Sequence, residues 1–300
     1  MTRDLIGHGG QPPEIVWPNG ARLAVSVVVN FEEGAELQVG DGDSRSEPMG
    51  EVISVVAPGT RDIGQEQIFA YGTRAGLWRI LDGLNRFSVP ATFYFCGRAV
   101  ERAPSLARAA VERGHEAACH GWRWRPHSDY ETAAEEGEEL DRAIAAIASA
   151  TGETPRGFFC RGSESIWTRK LLVERGFIYT SNAFDDDLPY RDRETPGLLV
   201  LPYALDTNDM KFFHPNGFVR AAEFAGYVGD AIAVMLAEAA RGQAGLLNIG
   251  LHLRISGRPA RYRAVEQIFE RLSQHRDDIW LARRIDIANH ALGALPEPGG

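Results

Sequence analysis

The clearest pattern in this chain is an apolar run that ends abruptly in acid: Leu23-Ala24-Val25-Ser26-Val27-Val28-Val29-Asn30-Phe31-Glu32-Glu33-Gly34. A strand so uniformly apolar is covered on both faces, as in a parallel sheet, and cannot carry two adjacent carboxylates into the core without partners. Glu32 and Glu33 should therefore emerge at its carboxyl end, where an α/β barrel keeps its chemistry. From about residue 67 onward, helical and strand-like periods alternate with short connections, which predicts βα repeats around a mostly parallel sheet. Residues 72–86 set Leu77, Ile80, Leu81 and Leu84 on one helical face, and further helices are predicted over 104–113, 131–150, 166–175, 221–241 and 261–273. Gly114, Gly152 and Gly176 follow three of them as stop signals. Strands over 91–96, 116–120, 157–160, 177–179, 198–201 and 245–252 bring the total to about seven. That alternation is closer to a distorted (β/α) barrel than to an open dinucleotide-binding sheet.

One catalytic domain over 1–300 is the economical reading, since no internal repeat, low-complexity linker or Gly-rich phosphate loop divides the chain. Residues 1–20 read as an irregular, Pro-rich arm. The irregular stretch 36–64 directly follows the strand that bears the carboxylates, so it is expected to cover the active site or to lie at a subunit interface.

Composition narrows the function. The 300 residues are 44% hydrophobic and 24% charged, an ordinary globular balance. A net charge of −9 with no concentrated basic stretch argues against nucleic-acid binding. No apolar stretch approaches the roughly 18 residues of a membrane span, and Met1-Thr2-Arg3-Asp4 starts without an apolar signal core, so a cytoplasmic location is expected. Cys96, Cys119 and Cys160 sit at or near the ends of apolar runs and read as small buried hydrophobes. An uncharged or mildly polar small molecule fits this balance as substrate.

Other polar residues stand at predicted strand ends. His120 opens His120-Gly121-Trp122-Arg123-Trp124, too aromatic for a routine solvent loop, although a core histidine satisfied by backbone would also fit. Arg161 emerges from Phe158-Phe159-Cys160 and precedes Gly162-Ser163; it pairs either with a catalytic carboxylate, keeping it ionised, or with a structural one. Asp206 and Asp209 follow the 198–201 strand, where Asp206 also suits a turn cap. His252 closes Leu246-Leu247-Asn248-Ile249-Gly250-Leu251, the place for a general acid. His115, His127, His214, His275 and His290 lack such context. Asp185-Asp186-Asp187 reads as a solvated loop, because consecutive side chains do not converge.

In this order the residues resemble the polysaccharide deacetylase family. Its pattern has a first-strand acid pair, with one acid as base and the second as metal ligand, and then a His-x-x-x-His metal motif. An arginine that orients the base, an Asp-bearing motif and a closing Leu-x-His or Leu-His general acid follow. Here these are Glu32 and Glu33, His120, Arg161, Asp206 to Asp209, and His252; Trp124 stands where the second metal-ligand histidine would be. That exchange, and Glu for Asp in the first pair, resemble the cofactor-independent allantoinase branch. So do the segments Arg3-Asp4-Leu5-Ile6-Gly7, Leu205-Asp206-Thr207-Asn208-Asp209-Met210, Gly257-Arg258-Pro259 and Trp280-Leu281-Ala282-Arg283-Arg284-Ile285-Asp286. Cys160-Arg161-Gly162-Ser163-Glu164-Ser165 departs from that branch's Arg-Thr-Ser-Pro-Asn-like run, which leaves the ring compound open.

The resemblance implies a single-domain deacetylase-type barrel and a homotetrameric hydrolase that opens a cyclic ureide or imide, as in allantoin to allantoate in purine catabolism. The catalytic residues implied are Glu32, His252, Arg161 and Asp206. Glu33, His120, Trp122, Trp124, Ser163 and Asp209 are the expected substrate contacts. No cofactor is expected; the alternative is one divalent ion, zinc, on Glu33 and His120, which falls short of the usual three protein ligands. The parent chemistry, deacetylation of an N-acetyl sugar polymer in carbohydrate metabolism, is the alternative function. A non-catalytic barrel is a third reading, opposed by the stability cost of desolvating several strand-end polar groups without a function.

Overall fold

The Val-rich strand that leads into Glu32 is an interior strand of the sheet, paired on both sides. A computed structural model describes residues 4–296. Its strands are β1 (Leu23–Phe31), β2 (Ala91–Phe95), β3 (Glu116–Cys119), β4 (Gly157–Phe158), β5 (Tyr179–Thr180), β6 (Tyr190–Arg191), β7 (Leu199–Val200), β8 (Gly245–His252) and β9 (Ile279–Leu281). They run β6-β7-β5-β4-β3-β2-β1-β8, with β9 also on β1, and only the β6–β7 pair is antiparallel. A single parallel bridge, Asn208 with Gly250, brings the chain that follows β7 to β8 and curls the sheet toward closure. This is the expected α/β barrel.

Helices α1 (Ile63–Tyr71), α2 (Leu77–Arg86), α3 (Gly97–Arg102), α4 (Pro104–Val111), α5 (Ala133–Thr151), α6 (Thr168–Glu174), α7 (Ala221–Ala239), α8 (Leu253–Ser256), α9 (Pro259–Gln274) and α10 (Arg284–Ala294) accompany the strands. Nine strands rather than about seven are formed among the described residues: β6 and β9 have two and three residues, too few for a period to register. The predicted helix 72–86 forms as a π-turn over Gly72–Gly76 followed by α2, and α1 precedes it without a break. At Gly76 the backbone of the strand-end turn leaves no room for a side chain. A Cβ on Gly76 would lie 2.1 Å from the Leu253 carbonyl oxygen. Gly76→Ala is therefore expected to destabilise the fold by about 1–3 kcal/mol, read as a lowered urea midpoint at unchanged slope.

Strand alternation sorts the interior into two cores. Val25, Val27, Val29 and Phe31 of β1 pack outward with Phe93, Phe95, Leu247, Ile249 and Leu251 under the helices. Ala24 and Val28 face inward with Tyr94, Ala118, Tyr179, Leu199 and Leu246. Ser26 and Asn30 share that inward parity. Beneath the strand ends the barrel is plugged by fully buried Arg284, which donates to Ser26, Ser181 and Asn248 side chains and to the carbonyls of Leu201 and Pro202. Every N–H of the plug reaches an oxygen through that set or its neighbours, so a buried guanidinium is tolerated there.

Candidate active site

Continuing the alternation of β1 past its end places Glu32 on the inward side with Ser26 and Asn30, and Glu33 on the helix side. His120 and His252 hold the same inward parity at the ends of β3 and β8, with Asn30 and His252 paired in register. The three side chains meet. Glu32 Oε1 lies 3.3 Å from His120 Nε2 and 3.2 Å from His252 Nε2. Its Oε2 accepts from Arg254 Nη1 at 2.7 Å.

Each imidazole is fixed from behind. His120 Nδ1 donates to the Phe159 carbonyl at 2.5 Å, and the ring stacks on Phe159. His252 Nδ1 donates to Asp209 Oδ1 at 2.6 Å, while Asp209 Oδ2 accepts the backbone N–H of His252 and of Ser256. Asp209 thus sets both the orientation of His252 and the tautomer that leaves Nε2 facing Glu32.

Charge and burial reinforce this arrangement. Burial pushes the Glu32 carboxyl up, but the charges of His252 and Arg254 and hydrogen bonds from both histidines outweigh it, holding it well below the usual carboxylate range. Burial pushes His252 down, and the charges of Glu32 and Asp209 reverse this, raising it to about 9. At neutral pH the pair is therefore a carboxylate beside an imidazolium, a base and an acid ready at once.

Glu33 is placed differently. Its Oε1 accepts the backbone N–H of Arg254 at 3.1 Å and lies 3.5 Å from the Arg254 guanidinium, and its Oε2 accepts the backbone N–H of Glu32. Burial raises its carboxyl to about 7 against the pull of Arg254. Glu33 and His120, the expected zinc ligands, therefore serve different partners. Among the described residues no group of three or more His, Cys, Asp or Glu side chains is arranged to hold a metal ion. The residues present do not fit the metal site of the deacetylase pattern: its second carboxylate is committed to backbone amides, and Trp124 replaces its second histidine.

Four expected residues lie elsewhere. Arg161 does not orient Glu32; its guanidinium pairs with Glu47, at 2.6 and 3.2 Å, and stacks on Trp124. The arginine on Glu32 is Arg254, which the strand-end reading passed over because it lies in α8, two residues beyond His252. Asp206 is exposed and accepts from the Tyr227 hydroxyl; Asp209 takes the role given to it, since only Asp209 lies against β8. Trp122 packs under Arg142 on the α3–α5 side. Ser163 is exposed, its hydroxyl bonded to the Glu164 carbonyl. Trp124 does border the cluster, its ring against Arg254 and Phe69.

The stretch after β1 closes over these groups. Glu47, 1% exposed, is tied to Arg161, while Asp43 pairs with Arg123, Asp41 with Arg102 and Glu51 with Arg261. Glu32, His120 and His252 are at most 4% exposed beneath. Glu47→Gln is expected to raise cleavage of the 36–62 segment by a protease roughly tenfold without lowering the melting temperature by more than a few degrees, since one charge-assisted contact is lost.

Comparison with known proteins follows the same lines. The sequence pattern described as Polysaccharide deacetylase matches residues 65–174. A Schizosaccharomyces pombe chain bearing the polysaccharide deacetylase name is 33% identical over 96% of both chains. Among solved structures, one from Pseudomonas aeruginosa PAO1 with the same family name is 41% identical, with a TM-score of 0.92 and 99% of both chains covered. The crystal structure of PuuE allantoinase is 40% identical, with a TM-score of 0.93 over 99% of both chains.

Proposed function

The chain belongs to the polysaccharide deacetylase family, and from that premise we propose that it is a hydrolase opening the C–N bond of a small cyclic amide, as an allantoinase does. The observation that carries this reading is the buried pair of Glu32 and His252, a base and an acid sharing one point in a site without a fitting metal-ligand set.

Glu32 takes a proton from a water whose oxygen attacks the ring carbonyl carbon, and the carbonyl π pair moves to oxygen. As the carbonyl re-forms, the ring C–N bond breaks and its electron pair takes the proton of His252 Nε2. A carboxyl and a free N–H end result. Asp209 holds the imidazolium in place through both steps.

Deacetylation of an N-acetyl sugar is the second reading, favoured by the names of the yeast and Pseudomonas relatives. Incubation with allantoin, hydantoin, succinimide and dihydrouracil, before and after chelator treatment, separates the two. Opening of one ring at an undiminished rate after chelation is expected. Acetate release from chitooligosaccharides with no ring opened would return the chain to the parent chemistry.

A further inference from the structure

Arg254 lies outside the arginine-bearing motif of the deacetylase pattern, yet it is the arginine that holds Glu32. It is 1% exposed, and its Nη1 donates to Glu32 at 2.7 Å and lies 3.5 Å from Glu33. Its guanidinium carbon sits 4.3 Å from the Phe69 ring centroid and 4.8 Å from that of Trp124. Among the described residues its Nε and Nη2 find no acceptor. Burying a guanidinium with two nitrogens unmatched is expensive unless something else requires it there.

We propose that Arg254 is the positioning residue of this site and its resident cation, filling the place beside the first-strand carboxylates that a metal ion fills in the deacetylase pattern. The proposal rests on Glu32 as the base. Three features carry it. The guanidinium occupies Glu32 Oε2, and a zinc ion would need such an oxygen at about 2.0–2.2 Å, with strong repulsion from a cation already bound there. Glu33, whose oxygens cap the backbone N–H groups of Glu32 and Arg254, anchors the arginine's own chain rather than facing the cavity. Trp124, at the second-histidine position, offers a π face to the guanidinium where an imidazole would offer a lone pair to a metal.

Because Arg254 lies two residues beyond His252 in the same turn, one short segment delivers the acid and the counter-charge of the base. Gly76, pressed on the Leu253 carbonyl, holds that turn in register. Oε2 is tied down by this contact, and Oε1 is left to face the histidines and water.

The test uses zinc alone, measured by equilibrium dialysis, on the wild type, Arg254→Met and Arg254→Lys. Arg254→Met keeps the apolar stem against Phe69 and Trp124 and removes the cation, freeing Glu32 Oε2 for an ion. It is expected to bind zinc at least tenfold more tightly than the wild type, while Arg254→Lys stays near the wild type. Ring opening by Arg254→Met should fall at least 100-fold and recover in part with millimolar guanidinium. Stoichiometric zinc on the wild type at micromolar concentration, or no gain in Arg254→Met, overturns the proposal. Should Arg254→Met fail to fold, Arg254→Gln is judged by the same zinc comparison. A wild type that opens no ring would count against the proposed function, while the zinc comparison would still decide the role of Arg254.

Discussion

Under the proposed ring-opening reaction, Glu32→Gln is expected to lower turnover by about 10³-fold, within the range for removing a general base, and to leave KM within a few-fold. Gln keeps the shape of the side chain and its contact with Arg254, whose guanidinium also lies beside Glu33, so the fold should survive; a circular dichroism melt checks this. The pH profile adds a second readout. In the wild type the acid limb follows Glu32 and lies below the usual carboxylate range, and the alkaline limb follows His252 near 9. The Glu32 charge is the first of the interactions that raise His252, so the residual activity of Glu32→Gln should lose its alkaline limb at a lower pH. Turnover within tenfold of the wild type would remove Glu32 from the chemistry.

Asp209→Asn has the next largest effect. The substitution removes the second raising charge on His252, while an amide oxygen can still accept from Nδ1 in the same space. Turnover should fall about 10²-fold at neutral pH, and the alkaline limb should move down from about 9. Stability carries the same signature. His252 has a folded-state value raised above its ordinary 6.5, so its contribution is complete below about 6.5 and is lost as the pH rises through about 9. Urea midpoints of wild type and Asp209→Asn should therefore differ most below pH 6.5 and converge toward pH 9. A constant difference across that interval would show that Asp209 acts on packing rather than on the charge of His252.

Much of this site was legible in the chain because apolar strands announce their own ends. Glu32, His120 and His252 each follow or close a run that is buried throughout, and β-sheet alternation gives all three the same facing. The same alternation, extended by one residue, separates Glu33 from Glu32, a signal present in the sequence but not used. Arg161 and Asp206 misled because strand ends also supply loops: Arg161 leaves β4 toward the cover rather than the centre, and Asp206 precedes the Asn208–Gly250 bridge that only Asp209 passes. No short-range pattern marks Arg254, which depends on how α8 turns back over β1. The cover itself was expected at 36–64, and Ile63 begins α1, but its ties to Arg102, Arg123, Arg161 and Arg261 join residues far apart in the chain.

Those ties have a consequence for the medium in which the protein works. All four are arginine–carboxylate pairs, and at least one member of each lies within reach of water. Dissolved ions compete for such pairs, and the field between charges falls away over about 8 Å at physiological ionic strength. The buried cluster of Glu32, His252 and Arg254 is shielded from that competition. Electrolyte is thus expected to loosen the hold on residues 36–62 and to leave the buried cluster beneath unchanged.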